Sequence, residues 1–197
     1  MYTTSKDIII KAKKGGYAVP AFNCENLEMV QAIIAAAEET KSPVLLQTTP
    51  STVKYLTLRQ AYAMVKAEAD AASVPVSLHL DHCESYEGVC DALDAGYSSV
   101  MIDASKLPFD ENIALTAKTV AEAHRRGIPV EAELGTVGGK EDSRSASIAY
   151  TDPDQALEFY SKTGIDIFAV AIGTAHGFYK GEPKLDFALL EKIAGMI

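Results

Sequence analysis

Basic residues are in short supply in this 197-residue chain: 18 Lys and Arg stand against 27 Asp and Glu, a formal net charge of -9. Nucleic-acid binding rests on phosphate neutralisation, so this balance argues against DNA or RNA as a partner. A small phosphorylated ligand stays open, because a few amides and one lysine suffice to hold it. Cysteine is scarce as well. Cys24, Cys83 and Cys90 form no CxxC pair and cannot all be joined within the chain. Reduced thiols in a cytoplasmic protein are the expected state. No apolar run approaches the length of a membrane span, and residues 1–20 lack a signal-peptide pattern, so no membrane role is expected. A GxGxxG string after the first strand-like run is also missing, which weakens a dinucleotide-binding reading.

What the chain does have is a regular alternation. Short aliphatic runs near residues 18–22, 43–47, 74–80, 98–102, 128–133 and 166–173 read as buried strands. Helical patterns separate them, with expected starts at Thr4, Asn26, Thr57, Ser85, Asp110 and Asp152 and stops at Gly15, Gly96, Gly127 and Gly164. A last amphipathic helix is expected over 185–197. Residues 48–52 read as a hydroxyl-rich loop, and 135–149 as a long mobile loop with adjacent glycines and a charge cluster. No antiparallel hairpin signal interrupts the pattern. Apolar strands joined by helices imply a parallel sheet with right-handed crossovers.

Alternation alone fits both an open doubly wound sheet and a barrel. The strand ends choose between them. Asn23, Gln47, Asp81, Asp103 and Glu133 each close a strand with a polar side chain. A barrel draws on every strand end, whereas an open sheet concentrates its site at one switch point. The expected fold is therefore α/β, a TIM (β/α)8-type barrel with about six β/α units present, forming a single domain over residues 1–197. Asp81-His82 at the end of one strand and His176 beyond the end of another suggest a metal on one rim. His79 lies on the same side of its strand as Asp81, where it could support the site or pack as a core histidine. Cys83 beside His82 needs no function as a small apolar neighbour, and His124 suits a helix carboxyl end.

Four strings in order, "HLDH", "SSVMIDAS", "VEAELGTVGG" followed by Lys-Glu-Asp, and "AHGFYKGEPKLDF", resemble the class II ketose-bisphosphate aldolases over nearly the whole chain. The resemblance implies a zinc-dependent lyase of carbohydrate metabolism that cleaves a fructose- or tagatose-type ketose 1,6-bisphosphate to dihydroxyacetone phosphate and an aldehyde phosphate. It implies Zn2+ as cofactor, a monovalent cation as activator and a homo-oligomer, dimer or tetramer. Position by position, His82 and His176 match zinc ligands. Asp103 and Glu133 match carboxylates that hold the metal or orient its ligands. Asp81 matches the acid handling the hydroxyl proton, and Glu141 the base acting on the three-carbon enolate. Gly177 and Lys180 match part of a phosphate site, with Thr49 and Asn23 as further substrate contacts.

The resemblance also implies more chain. A complete barrel has eight strands and typically about 250 residues. The third zinc histidine, expected at the end of a seventh strand, and the glycine-rich and Asn-containing loops of the phosphate site are not in this sequence. The domain is therefore expected to be truncated on its carboxyl-terminal side. Two other readings stay open: a non-catalytic barrel subunit supporting a sugar-aldolase complex, and another metal-dependent barrel enzyme such as an isomerase or hydrolase.

Overall fold

The computed structural model describes residues 1–141, 144–146, 149–179 and 181–197, with backbone alone at 140–141 and 144–146. The described strands are β1 (Ala21–Asn23), β2 (Val44–Thr48), β3 (Val76–Cys83), β4 (Ser99–Ile102), β5 (Val130–Leu134), β6 (Gly138–Glu141), β7 (Arg144–Ala146), β8 (Ile167–Val170) and β9 (Ala175–His176). The helices are α1 (Ser5–Gly15), α2 (Leu27–Thr40), α3 (Pro50–Leu56), α4 (Leu58–Ala71), α5 (Tyr86–Ala95), α6 (Phe109–Arg125), α7 (Pro153–Thr163) and α8 (Phe187–Ala194).

The main sheet has the order β1-β2-β3-β4-β5-β8, every pair parallel. Strand order follows chain order without a reversal, so successive right-handed crossovers leave all the helices on one face. Helices α4, α5, α6, α7 and α8 accordingly pack each against the next. A right-twisted sheet covered on one face curls, and the result is a half-barrel of the (β/α)8 type with helices outside. The expected α/β barrel class holds.

Two side-chain layers follow from the period of two along each strand. Leu78, Leu80, Val100, Ile102, Val130, Ala132 and Leu134 face the helices and share one core with Val65, Val89, Val120 and Phe159. Gln47, His79, Asp81, Ser99, Glu131 and Glu133 occupy the alternate positions and face the barrel interior. The outer layer is apolar because it must bury helices. The inner layer, with no helices to bury, carries polar and charged side chains.

Local chemistry places most helix ends. Asn26, Thr49, Thr57, Ser85, Asp152 and Asp186 accept a backbone N–H from within their own helix. Two expectations need correction. Asp110 lies inside the first turn of α6, whose N-cap is Pro108. Its charge still favours that end through the helix dipole. Residues 50–56 form the short helix α3 rather than a loop, with Thr49 as its cap and Pro50 in its first turn.

A larger correction concerns the segment after β5. It pairs as an antiparallel β6–β7 hairpin, and β6 pairs in parallel with β9, giving a second sheet of order β7-β6-β9. The adjacent glycines are what permit this. A Cβ at Gly139 would clash with the backbone oxygen of His176, so only glycine lets the two strands meet. Residues 142, 143, 147 and 148, part of the expected mobile loop, lie outside the described residues.

The amino-terminal end of the sheet is closed by residues 1–15. Tyr2 bridges to Val76, and the Ser5 hydroxyl donates to Ser99 Oγ at 2.7 Å. Asp166, just before β8, ties this floor together. It accepts from Lys6 at 3.0 Å, His124 Nε2 lies 2.6 Å away, and the Val130 N–H donates to it at 3.0 Å. Burial pushes the Asp166 carboxyl up, but these partners outweigh it and hold it below the usual carboxylate range. Replacing Asp166 with Ala is expected to cost about 2 kcal/mol at pH 7. With a lowered folded pKa, that contribution is complete above the unfolded value of about 3.9 and is lost as pH falls through the folded one. Urea unfolding of both proteins between pH 3 and 7 should therefore show the gap closing only at the acid end; a gap constant across that range would contradict the assignment.

Candidate active site

The site is built on an irregularity in β3. Leu80 pairs with Val100 and Cys83 with Ile102, so three steps on β3 match two on β4. One extra residue is therefore inserted, a β-bulge. Without it, strict alternation would turn His82 outward with Leu78 and Leu80. Instead Cys83 takes the helix-facing position and joins the apolar core, so that Asp81 and His82 both reach the rim. The backbone records this demand: His82 has φ 49°, in the left-handed region that non-glycine residues rarely adopt.

Neighbouring strand ends meet the bulge. His82 Nδ1 lies 3.0 Å from Asp103 Oδ2, while Asp103 Oδ1 accepts from the Ser105 N–H at 3.2 Å and hydroxyl at 2.7 Å. Burial alone would raise the Asp103 carboxyl, but the His82 and Ser105 hydrogen bonds dominate and hold it far below the usual range. An ionised Asp103 fixes the imidazole with its proton on Nδ1 and turns the Nε2 lone pair outward. Glu133, buried at the end of β5, accepts from the Val137 N–H at 3.4 Å. Burial and then the Asp103 charge push its carboxyl up. Ligand-type atoms of His82, Asp103 and Glu133 lie within 4.8 Å of one another. His176, in β9, brings its ring to 5.0 Å from that of His82 in an edge-on contact.

This donor set fits a divalent metal. It joins neutral imidazole to carboxylate oxygen, the mixture a borderline ion such as zinc accepts. Asp103 behind His82 supplies the outer carboxylate that orients such ligands. The other expected residues are more dispersed. Asp81 lies one residue from His82 with a mostly buried side chain, and Gln47 Nε2 donates to its Oδ2 at 2.6 Å. The same Gln47 amide donates to Asn23 Oδ1 at 3.2 Å, so three adjacent strand ends are linked. Thr49 is buried with its hydroxyl among Ser51, Thr52 and the start of α3. Gly177 follows β9 with φ 75° and is exposed. The Glu141 side chain and Lys180 lie outside the described residues.

Two interior groups were not singled out as site residues by the sequence. Gln47 is visible only as a polar strand end, although it holds Asp81. Glu131 stands on the same strand face as Glu133, two positions earlier, and that spacing was the available signal. Its carboxyl is pushed up to about 7 by burial first, then by the charges of Asp81 and Glu133, although 23% of its side chain reaches the open interior. His79 is fully buried between these layers, and burial with the nearby His82 pushes it down to about 3, so its ring is neutral.

Strain at His82 makes a testable claim. Both His82→Ala and His82→Gly remove the imidazole and its hydrogen bond, but only glycine relaxes the left-handed backbone. The glycine variant should be the more stable of the two by about 1–2 kcal/mol, reversing the usual order inside a strand. Chemical unfolding of the pair measures this, and an alanine variant of equal or greater stability would contradict it.

Comparison with known proteins agrees with this architecture. The family model described as "Fructose-bisphosphate aldolase class-II" matches residues 3–197. The fructose-bisphosphate aldolase of Geobacillus stearothermophilus is 50% identical over 192 residues, covering 95% of this chain and 67% of the relative. That of Staphylococcus aureus is 47% identical over 194 residues, with the same coverage of each. The crystal structure of the YdjI aldolase from Escherichia coli K12 superposes with a TM-score of 0.89 at 40% identity, covering 100% of this chain and 70% of that one.

Proposed function

The chain belongs to the class II fructose-bisphosphate aldolase family, a family of lyases, and from that premise we propose zinc-dependent retro-aldol cleavage of a ketose 1,6-bisphosphate, of fructose or tagatose type. The products are dihydroxyacetone phosphate and an aldehyde phosphate, and the reverse condensation uses the same groups. The observation that carries this reading is the convergence of His82, Asp103 and Glu133 within 4.8 Å, with His176 against His82 and Asp81 beside them. His82 and His176, with Glu133 or Asp103, are the residues that would hold zinc. When bound, the metal supplies Lewis acidity toward the substrate carbonyl.

Each remaining step belongs to a side chain. Asp81 takes the proton from the hydroxyl whose carbon becomes the aldehyde, as the adjacent carbon–carbon bond breaks and its electron pair passes to the three-carbon fragment. Gln47 holds one Asp81 oxygen, fixing the direction in which the carboxylate receives that proton. Glu141, assigned by resemblance, returns a proton to the enediolate carbon. Gly177, Lys180, Thr49 and Asn23 are assigned to the substrate and its phosphates. Gly177 offers a backbone N–H on a rim where an anion can approach closely.

The chain spans about two thirds of the length of the relatives it matches. We assign residues 1–197 to a single barrel domain that further β/α units complete. β1 and β8 each pair on one side only among the described strands, and a cavity of 750 Å³ lined by Phe22, Ile33 and Pro43 lies open beside β1. A monovalent activator and a homo-oligomer remain expectations of the same resemblance.

The test is cleavage of fructose and tagatose 1,6-bisphosphates by metal-stripped and zinc-restored protein. Cleavage should appear only with zinc, and His82→Ala should abolish both zinc retention and turnover. Turnover of this chain is expected to fall well below that of a chain extended by the remaining third of the Geobacillus relative. Zinc-independent cleavage, or cleavage unchanged in His82→Ala, would overturn the proposal.

A further inference from the structure

Among the described residues, one buried side-chain atom has no hydrogen-bond partner, and it is His79 Nε2. The residue is 1% exposed, so that atom has no water to turn to, and buried polar atoms are almost always satisfied. Its direction is informative. Nε2 lies 3.6 Å from Glu131 Oε2 and 4.0 Å from Asp81 Oδ1.

The other ring nitrogen shows which species points there. His79 Nδ1 is 2.8 Å from Ser99 Oγ, and Ser99 Oγ already accepts the Ser5 hydroxyl at 2.7 Å. A hydroxyl carries one proton. If Ser99 also accepted from Nδ1, its own fully buried proton would have no acceptor, so it donates to Nδ1 and the proton of the neutral ring sits on Nε2. The Ser5–Ser99–His79 series thus aims an N–H donor from the floor of the barrel at two carboxylates, one of which is Asp81.

We propose that His79 is a positioning residue for Asp81: its Nε2–H closes on Asp81 Oδ1 and, with Gln47 on Oδ2, fixes the plane in which that carboxylate meets the substrate hydroxyl. This rests on the aldolase reading for its chemistry, though not for its geometry. Donor contacts that serve catalysis are often long in the ligand-free enzyme and tighten when substrate binds. An apolar residue of similar size would fill the same space without an orphan atom, so packing alone does not explain an imidazole here. Glu131 is the competing acceptor, and the test separates the two.

The first arm needs no activity. Protein labelled with 15N in its imidazoles should show His79 as the neutral Nε2–H tautomer at pH 7, with an Nε2–H proton resonance that moves in Asp81→Asn more than in Glu131→Gln. An Nδ1–H tautomer, or a resonance that Asp81→Asn leaves in place, would overturn the proposal. The second arm is kinetic, on zinc-loaded protein. His79→Leu should lower kcat by about 10-fold to 100-fold, with KM and zinc affinity kept within about twofold. His79→Gln, which keeps a donor at that end, should recover part of the loss and guards against a leucine variant that fails to fold. Ser99→Ala should lower kcat in the same direction, because the ring remains but its tautomer is no longer fixed. Unchanged kcat in His79→Leu, or zinc affinity falling in step with kcat, would contradict a positioning role. If the parent protein cleaves no ketose bisphosphate with zinc bound, the aldolase reading fails, and the resonance arm alone still decides whether His79 is tied to Asp81.

Discussion

The one-residue bulge between Leu80 and Cys83 is the constraint on which the rest of the site depends. A regular strand offers the interior every second side chain, so it could present Asp81 or His82 to the rim but not both. The inserted residue changes that parity, and it does so at a backbone cost held in the left-handed conformation of His82. Strain of this kind persists only where surroundings over-determine it. Here the core position of Cys83 on one side and the Asp103 hydrogen bond on the other do so. Asp81 and His82 are therefore held by packing below and electrostatics above.

The same division of labour runs through the sheet. Outward positions bury aliphatic side chains against the helices and supply the stability; inward positions carry Gln47, His79, Asp81, Glu131 and Glu133. Burying several carboxylates together is tolerated because they are not equivalent. Asp103 is stabilised as the charged form by its donors, whereas burial pushes Glu131 and Glu133 toward the protonated form. Carboxylates with such different environments can take different parts in one reaction. The second sheet adds a further tie: Gly139 pairs with His176, so the hairpin and the second imidazole share one backbone register.

Much of this was legible from residues alone, for local reasons. Caps such as Asn26, Ser85 and Asp152 act within three residues, and aliphatic runs such as 98–102 have no alternative to burial. Asn23, Gln47, Asp81, Asp103 and Glu133 could be read as polar strand ends, and the sheet sets them at or beside the ends of neighbouring strands. What escaped is non-local. Gly138-Gly139 read as loop because their β9 partner lies some way along the chain, and glycine signals permission rather than pairing. The β3 bulge left no mark in the string "HLDH", since it is set by register with Val100 and Ile102. Pro50 to Leu56 hid as a helix because its start is crowded with hydroxyl residues that suit either a turn or a cap. His79 was placed on the correct face, but its tautomer depends on Ser5, far away in sequence, and no pattern shows that.

A metal bound as proposed would meet the imidazole and carboxylate groups brought together across the β3 bulge, with Cys83 turned away into the core. X-ray absorption at the zinc edge, on protein loaded with one equivalent of zinc, tests it most directly. The expected result is a shell of nitrogen and oxygen only, with the outer scattering of imidazole, and loss of that imidazole scattering in His82→Ala. A sulfur neighbour at about 2.3 Å would mean that Cys83 faces the metal and that the bulge has been misread.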